Sequence, residues 1–169
     1  MERIDPQPTA NERTTLLEYL DFQRATLVMK TQGLSKEQLN TPHPPSELTL
    51  AGLLKHLWLV EDSWIKGRFL GLPEGEPWVS APFDDDADWD FHSAPHDDPD
   101  DLRLEYEHAC RTNNELIAGH GLDDRAAVRL KNGDEWTLRW VLLHLIEETA
   151  RHAGHADLIR EAIDGAVGE

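Results

Sequence analysis

The residues able to do chemistry crowd into one stretch near the end of the chain, His144, Glu147, Glu148, His152 and His155. With His144 at zero and about 100° per helical residue, Glu148 falls near 40°, His152 near 80° and His155 near 20°, while Glu147 falls near −60°. Four of the five therefore share one face. Glu148 and His152 are four residues apart, the spacing at which two side chains of one helix can bind a single metal ion while a facing helix supplies a third ligand. His56 is the candidate third ligand. It lies in Thr49-Leu50-Ala51-Gly52-Leu53-Leu54-Lys55-His56-Leu57, which matches Thr137-Leu138-Arg139-Trp140-Val141-Leu142-Leu143-His144-Leu145 as Thr-Leu-x-x-apolar-Leu-x-His-Leu. The chain thus reads as two related helical hairpins, each placing a histidine two turns into its second helix.

A buried carboxylate needs a cation or hydrogen-bond donors to offset its lost hydration. For Glu148 that cation is either a metal or Arg24, which sits on the inner face of the first helix. The residues alone leave a metal site and a buried ion-pair network both open. Other chemistries lack their parts. A ferritin-like di-metal site needs two Glu-x-x-His pairs, and only Glu105-x-x-His108 occurs. No His-Glu-x-x-His and no Gly-x-Ser-x-Gly is present, and Cys110 has no evident partner. The Asp84–Asp90 run lacks the glycine and the twelfth-position glutamate of an EF-hand loop and reads as a solvated acidic loop.

Four helices are needed to position these groups. Leu16, Leu17, Leu20, Arg24, Leu27 and Val28 mark a helix over about residues 11–32. Leu50, Leu53, Leu54, Leu57, Val60 and Trp64 mark a second, with Thr49 as its N-cap and Gly67 near its end. A third runs from about Pro99 to Ala118 and a fourth from Thr137 to about Ile163. Residues 72–97, rich in proline and aspartate, are expected to be a long loop, and Ala127–Leu130 a short extended stretch. The predicted fold is all-α, a four-helix bundle over residues 11–163 with a long acidic loop between helices two and three, flanked by an arm (1–10) and a tail (164–169). Trp58, Trp64 and Trp140 are expected to pack its core.

Composition narrows the partners. The 169 residues carry 16 Lys+Arg against 33 Asp+Glu, a net charge of −17, which repels phosphate backbones and anionic lipid. Nine of those acids lie between Asp84 and Asp101, so much of the imbalance is local. Neither nucleic acid nor membrane is an expected partner. No run approaches the ~20 apolar residues of a membrane span. The single cysteine cannot form an internal disulfide, and no charged-then-apolar signal segment opens the chain, so the cytoplasm is the expected location.

These residues resemble the DinB-like (YfiT-like) superfamily of metal-dependent proteins, in its actinobacterial branch near the mycothiol-dependent transferases and maleylpyruvate isomerase. The resemblance covers roughly residues 11–163. It rests on Glu12-Arg13 and Arg24 of the first helix, Gly33-Leu34-Ser35, His56 with Trp58 and Trp64, and above all Glu148-Thr149-Ala150-Arg151-His152-Ala153-Gly154-His155. It implies a metal held by His56, Glu148 and His152, a divalent ion such as zinc or nickel, and mycothiol or a similar thiol as cosubstrate. The implied activity is thiol S-transfer to an electrophile in detoxification or stress response. Hydrolysis or isomerisation at the same metal, or a non-catalytic metal-binding stress protein, are the alternatives. His155 is then a proton shuttle, an outer partner or a replacement ligand, Arg24 holds Glu148 or a substrate carboxylate, and His144 orients or packs. A homodimer is the expected assembly.

Overall fold

The computed structural model describes residues 1–167 of the chain; the last two residues of the expected tail lie outside them. Helix α1 is Glu12–Thr31, α2 is the single turn Lys36–Leu39, and α3 is Leu50–Glu61. The chain then runs on without a break as a π-helical segment, Asp62–Phe69. α4 is the short Trp89–Ser93, α5 is Pro99–Leu116, and α6 is Leu138–Asp164. Among the described residues there is no strand, only an isolated bridge between Arg125 and Thr137. The stretch expected to be extended instead lies along the end of the π segment, where the Ala127 and Val128 amides donate to the carbonyls of Phe69 and Arg68 at 2.8 and 3.1 Å.

The helix starts follow from side-chain acceptors at otherwise unpaired amides. Asn11 caps α1 through the Thr14 amide, Asp98 caps α5, and Thr49 caps α3 by accepting from the Gly52 amide at 3.0 Å. Thr137 begins α6 in the same way, accepting from Trp140 at 3.4 Å, so both copies of the internal repeat open on the same device. α1 packs chiefly on α6 and α3 on α5, giving an all-α bundle of four long helices. Leu20, Leu27, Leu50, Leu53, Leu57, Ile65, Leu138, Val141, Leu142 and Leu145 fill its centre, each fully or almost fully buried. No described helix is long and apolar enough to cross a membrane.

A buried ion pair interrupts this core. Arg24 and Glu61, each 1 % exposed, form a two-pronged pair: Nε donates to Oε1 at 2.7 Å and Nη2 to Oε2 at 2.6 Å. Asp21 and Asn114 accept from the remaining Nη1, and Asn113 donates to Glu61. Burial opposes the charge on Arg24, yet Glu61, Cys110 and Asp21 together outweigh it and raise the guanidinium pKa above its ordinary value. Beside this pair lies Cys110, whose thiol pKa is pushed well up by burial despite an opposing influence from Arg24. It is an inert core thiol.

The long acidic connection departs from expectation in one respect. It contains a 3₁₀ turn, Trp78–Ser80, the helix α4 and a second 3₁₀ turn, Ala94–His96. Most of its aspartates face solvent, but Asp90 is 3 % exposed and points inward. α4 can approach α3 this closely because residue 52 is glycine: a Cβ there would lie 3.1 Å from the Phe91 ring and from Thr49 Oγ1.

Candidate metal centre

α3 and α6 present His56, Glu148 and His152 to one another across the bundle. One ligand atom from each lies within 4.8 Å of the other two, all three residues being half-buried. Glu148 Oε1 stands 3.5 Å from His56 Nε2 and 3.4 Å from His152 Nε2. The imidazoles meet edge to face at 4.9 Å between centroids.

Each imidazole has a partner on its far nitrogen. His56 Nδ1 lies 2.7 Å from Asp90 Oδ2, so the buried carboxylate fixes the proton on Nδ1 and leaves Nε2 bare toward Glu148. Phe91, the next residue of α4, stacks on the same ring at 4.5 Å and 23°. His152 Nδ1 lies 3.3 Å from His155 Nδ1. With the proton on His152 Nδ1, donated to His155, the His152 Nε2 lone pair is likewise free. Asp90 carried no separable signal in the sequence, since it closes a run of aspartates that otherwise face water.

The protonation states suit a cation. Burial pushes the His152 pKa down, and the nearby His56 adds to the effect while Glu148 opposes it. The ring is thus neutral at physiological pH. Burial pushes Glu148 up, but His152, His56 and His144 together outweigh it and hold the carboxyl below its ordinary value, so Glu148 is ionised. Two neutral imidazoles and one carboxylate are borderline-soft, three-ligand chemistry: they fit a divalent ion such as zinc, leave a net charge near +1, and leave coordination positions for another molecule.

The remaining expectations separate. His155 is at the site, behind His152. Arg24 is not in contact with Glu148; its guanidinium is committed to Glu61, Asp21 and Asn114. The helical wheel placed it on the right face but could not tell which of two inward acids stood at its height. His144 shares the α6 face yet turns toward aromatic rings, 4.2 Å from the centroid of Trp64 and stacked on Trp140 at 5.3 Å and 15°. Burial lowers its pKa. Trp58 packs edge to face on Trp78, as expected of core, but Trp140 is 46 % exposed and forms a wall rather than core.

No curated protein sequence matches the chain. The sequence model of one family, described as mycothiol-S-transferase, matches residues 15–165, which span α1 through α6 and all three candidate ligands. The match covers most of the chain, and the chain belongs to the DinB-like mycothiol-S-transferase family.

Proposed function

We propose that His56, Glu148 and His152 hold a zinc ion at which mycothiol, or a similar low-molecular-weight thiol, is activated for attack on an electrophilic carbon. Family membership and the three-residue cluster support a metal-dependent, mycothiol-related transferase activity. The observation that carries the reading is the pair of imidazoles whose Nε2 atoms converge on Glu148 Oε1 while their Nδ1 atoms are held from behind. When bound, the ion supplies the positive charge that ionises a thiol at neutral pH.

The chain's own groups do the rest. Asp90 keeps the His56 proton on Nδ1. His155 accepts from His152 Nδ1 and so orients that ring, and the proton released by the thiol leaves to water. A sulfur–carbon bond forms and the carbon's leaving group departs with its electron pair. Arg24 plays no part at the reacting atoms; it is a positioning residue of the helix pair α1 and α3. Glu148, ionised, would offset one unit of the charge of a bound divalent ion.

Elemental analysis of the purified protein beside His56→Ala and His152→Ala tests the ligand set: one metal per chain, lost in each variant, is expected. Incubation with a thiol and a bromoalkane tests the reaction. Thioether formation that requires both the metal and the thiol is expected; alcohol formation without thioether would assign a hydrolase instead.

A further inference from the structure

The aromatic wall beside His144 leads away from the metal centre to a cavity of about 560 Å³, bordered by Arg68, Val128, Arg129, Leu130, Lys131, Asn132 and Trp136. Every charged side chain bordering it is cationic, in a chain whose net charge is −17. Arg129 is already paired with Glu135 at 2.5 Å, and Lys131 faces solvent.

Arg68 is different. It comes from the π-helical segment, its guanidinium lies 4.5 Å over the Trp64 ring, and its Nη1 donates to the Ser63 hydroxyl. Burial lowers its pKa, Glu74 only partly opposing this from a distance, and among the described residues no carboxylate lies within 4 Å of it. A half-buried guanidinium is costly to hold without an anion. Elsewhere Arg24, Arg103, Arg125, Arg139, Arg151 and Arg160 have carboxylate partners, whereas Arg3 donates to the Thr26 hydroxyl and Arg13 to two backbone carbonyls and neither borders this cavity.

The position of Arg68 relates this charge to the metal. Arg68 and His144 both contact the Trp64 ring, at 4.5 and 4.2 Å from its centroid, and His144 stands four residues of α6, about 6 Å along the axis, before Glu148. Trp136 and Trp64 meet edge to face at 5.0 Å, so the cavity and the wall share one aromatic surface. The geometry points to an anion subsite centred on Arg68, which selects electrophiles that carry a carboxylate at the far end of an apolar or aromatic body. One guanidinium without a carboxylate partner matches one negative charge and presents the planar fork that suits a carboxylate. The body lies along Trp64 and Trp136, and the reacting carbon is directed toward Glu148. In the reaction this implies, the thiolate sulfur bonds to carbon and the leaving group departs, while the carboxylate stays unchanged on Arg68. The inference rests on the transferase reading for its reaction, but not for its binding test.

That test uses metal-loaded protein and an unreactive matched pair, 4-methylbenzoate and 4-methylbenzamide, followed by calorimetry. The benzoate should bind about tenfold or more tightly than the amide. Arg68→Gln should abolish that preference without changing metal content, and Arg68→Lys should restore part of it. Equal affinity of the wild type for the two ligands, a preference that survives in Arg68→Gln, or no measurable binding of either would overturn the proposal. A second arm compares 4-(bromomethyl)benzoate with 4-(bromomethyl)benzamide as electrophiles, bromide being the leaving group. Failure of both to yield thioether would count against the transferase reading, whereas equal turnover of both would count against the subsite alone.

Discussion

Asp90→Asn isolates the contribution of the acidic connection to the metal centre. The carboxylate accepts from His56 Nδ1 at 2.7 Å and is 3 % exposed, so the bond is short, involves a full charge and has almost no water to screen it. Loss of such an outer partner typically weakens a metal site 10- to 100-fold, about 1.4–2.7 kcal/mol. The burial of Asp90 places the effect toward the upper end. The Asp90→Asn amide has an added liability, because its N–H can donate to Nδ1 and drive the His56 proton onto Nε2, where it competes with the metal. Competition against a chromogenic chelator gives the dissociation constant. Asp97→Asn is the control: it removes the negative charge that Lys55 Nζ faces at 2.5 Å on the same connection, without touching the ligands, and should change metal affinity less than twofold. Wild-type metal affinity in an Asp90→Asn protein with an unchanged thermal melt would refute the argument that Asp90 orients the ligand.

Three further outcomes follow from the same structure. Glu61→Gln should cost about 3–5 kcal/mol in urea unfolding because it strands the Arg24 charge in the core, and pairing it with Arg24→Met should recover much of that loss. Stability of the metal-free protein should fall as pH drops below about 6.5, where an unfolded histidine protonates. The sign follows from His152 and His144: burial lowers both pKa values, the unfolded chain binds more protons in this window, and the stabilisation is lost on acidification; a flat pH profile of urea midpoints would contradict it. Gly52→Ala should weaken metal binding more than fold stability, since the added Cβ at 3.1 Å from Phe91 pushes α4, and Asp90 with it, away from His56. Chelator competition and thermal melts on one preparation check this.

The helices and the ligand cluster were legible because both depend on short-range periodicity. Apolar residues at three and four, Thr49 and Thr137 as caps, and Glu148 and His152 one turn apart are local facts that tertiary packing had only to preserve. Three features were not legible. Asp90 sits among aspartates of the same type and differs from them only in facing inward, which is decided by how α4 docks. The partner of Arg24 depended on the axial offset between helices, which a helical wheel discards. The π-helical segment shifts Trp64 and Arg68 off the α register, and nothing in Asp62–Phe69 marks the change from i+4 to i+5 bonding. The internal repeat marks equivalent starts and not equivalent roles: both copies open alike, yet only His56 joins the ligand cluster, and His144 meets Trp64 and Trp140.

The aspartate-rich connection also sets how fast molecules arrive. Its unpaired carboxylates add to a field that draws divalent cations toward this end of the bundle and slows the approach of anions, with a reach of about 8 Å at physiological ionic strength. Metal capture should therefore slow as salt is added, while encounter with a negatively charged molecule should quicken. Ionic strength thus moves the two association rates in opposite directions.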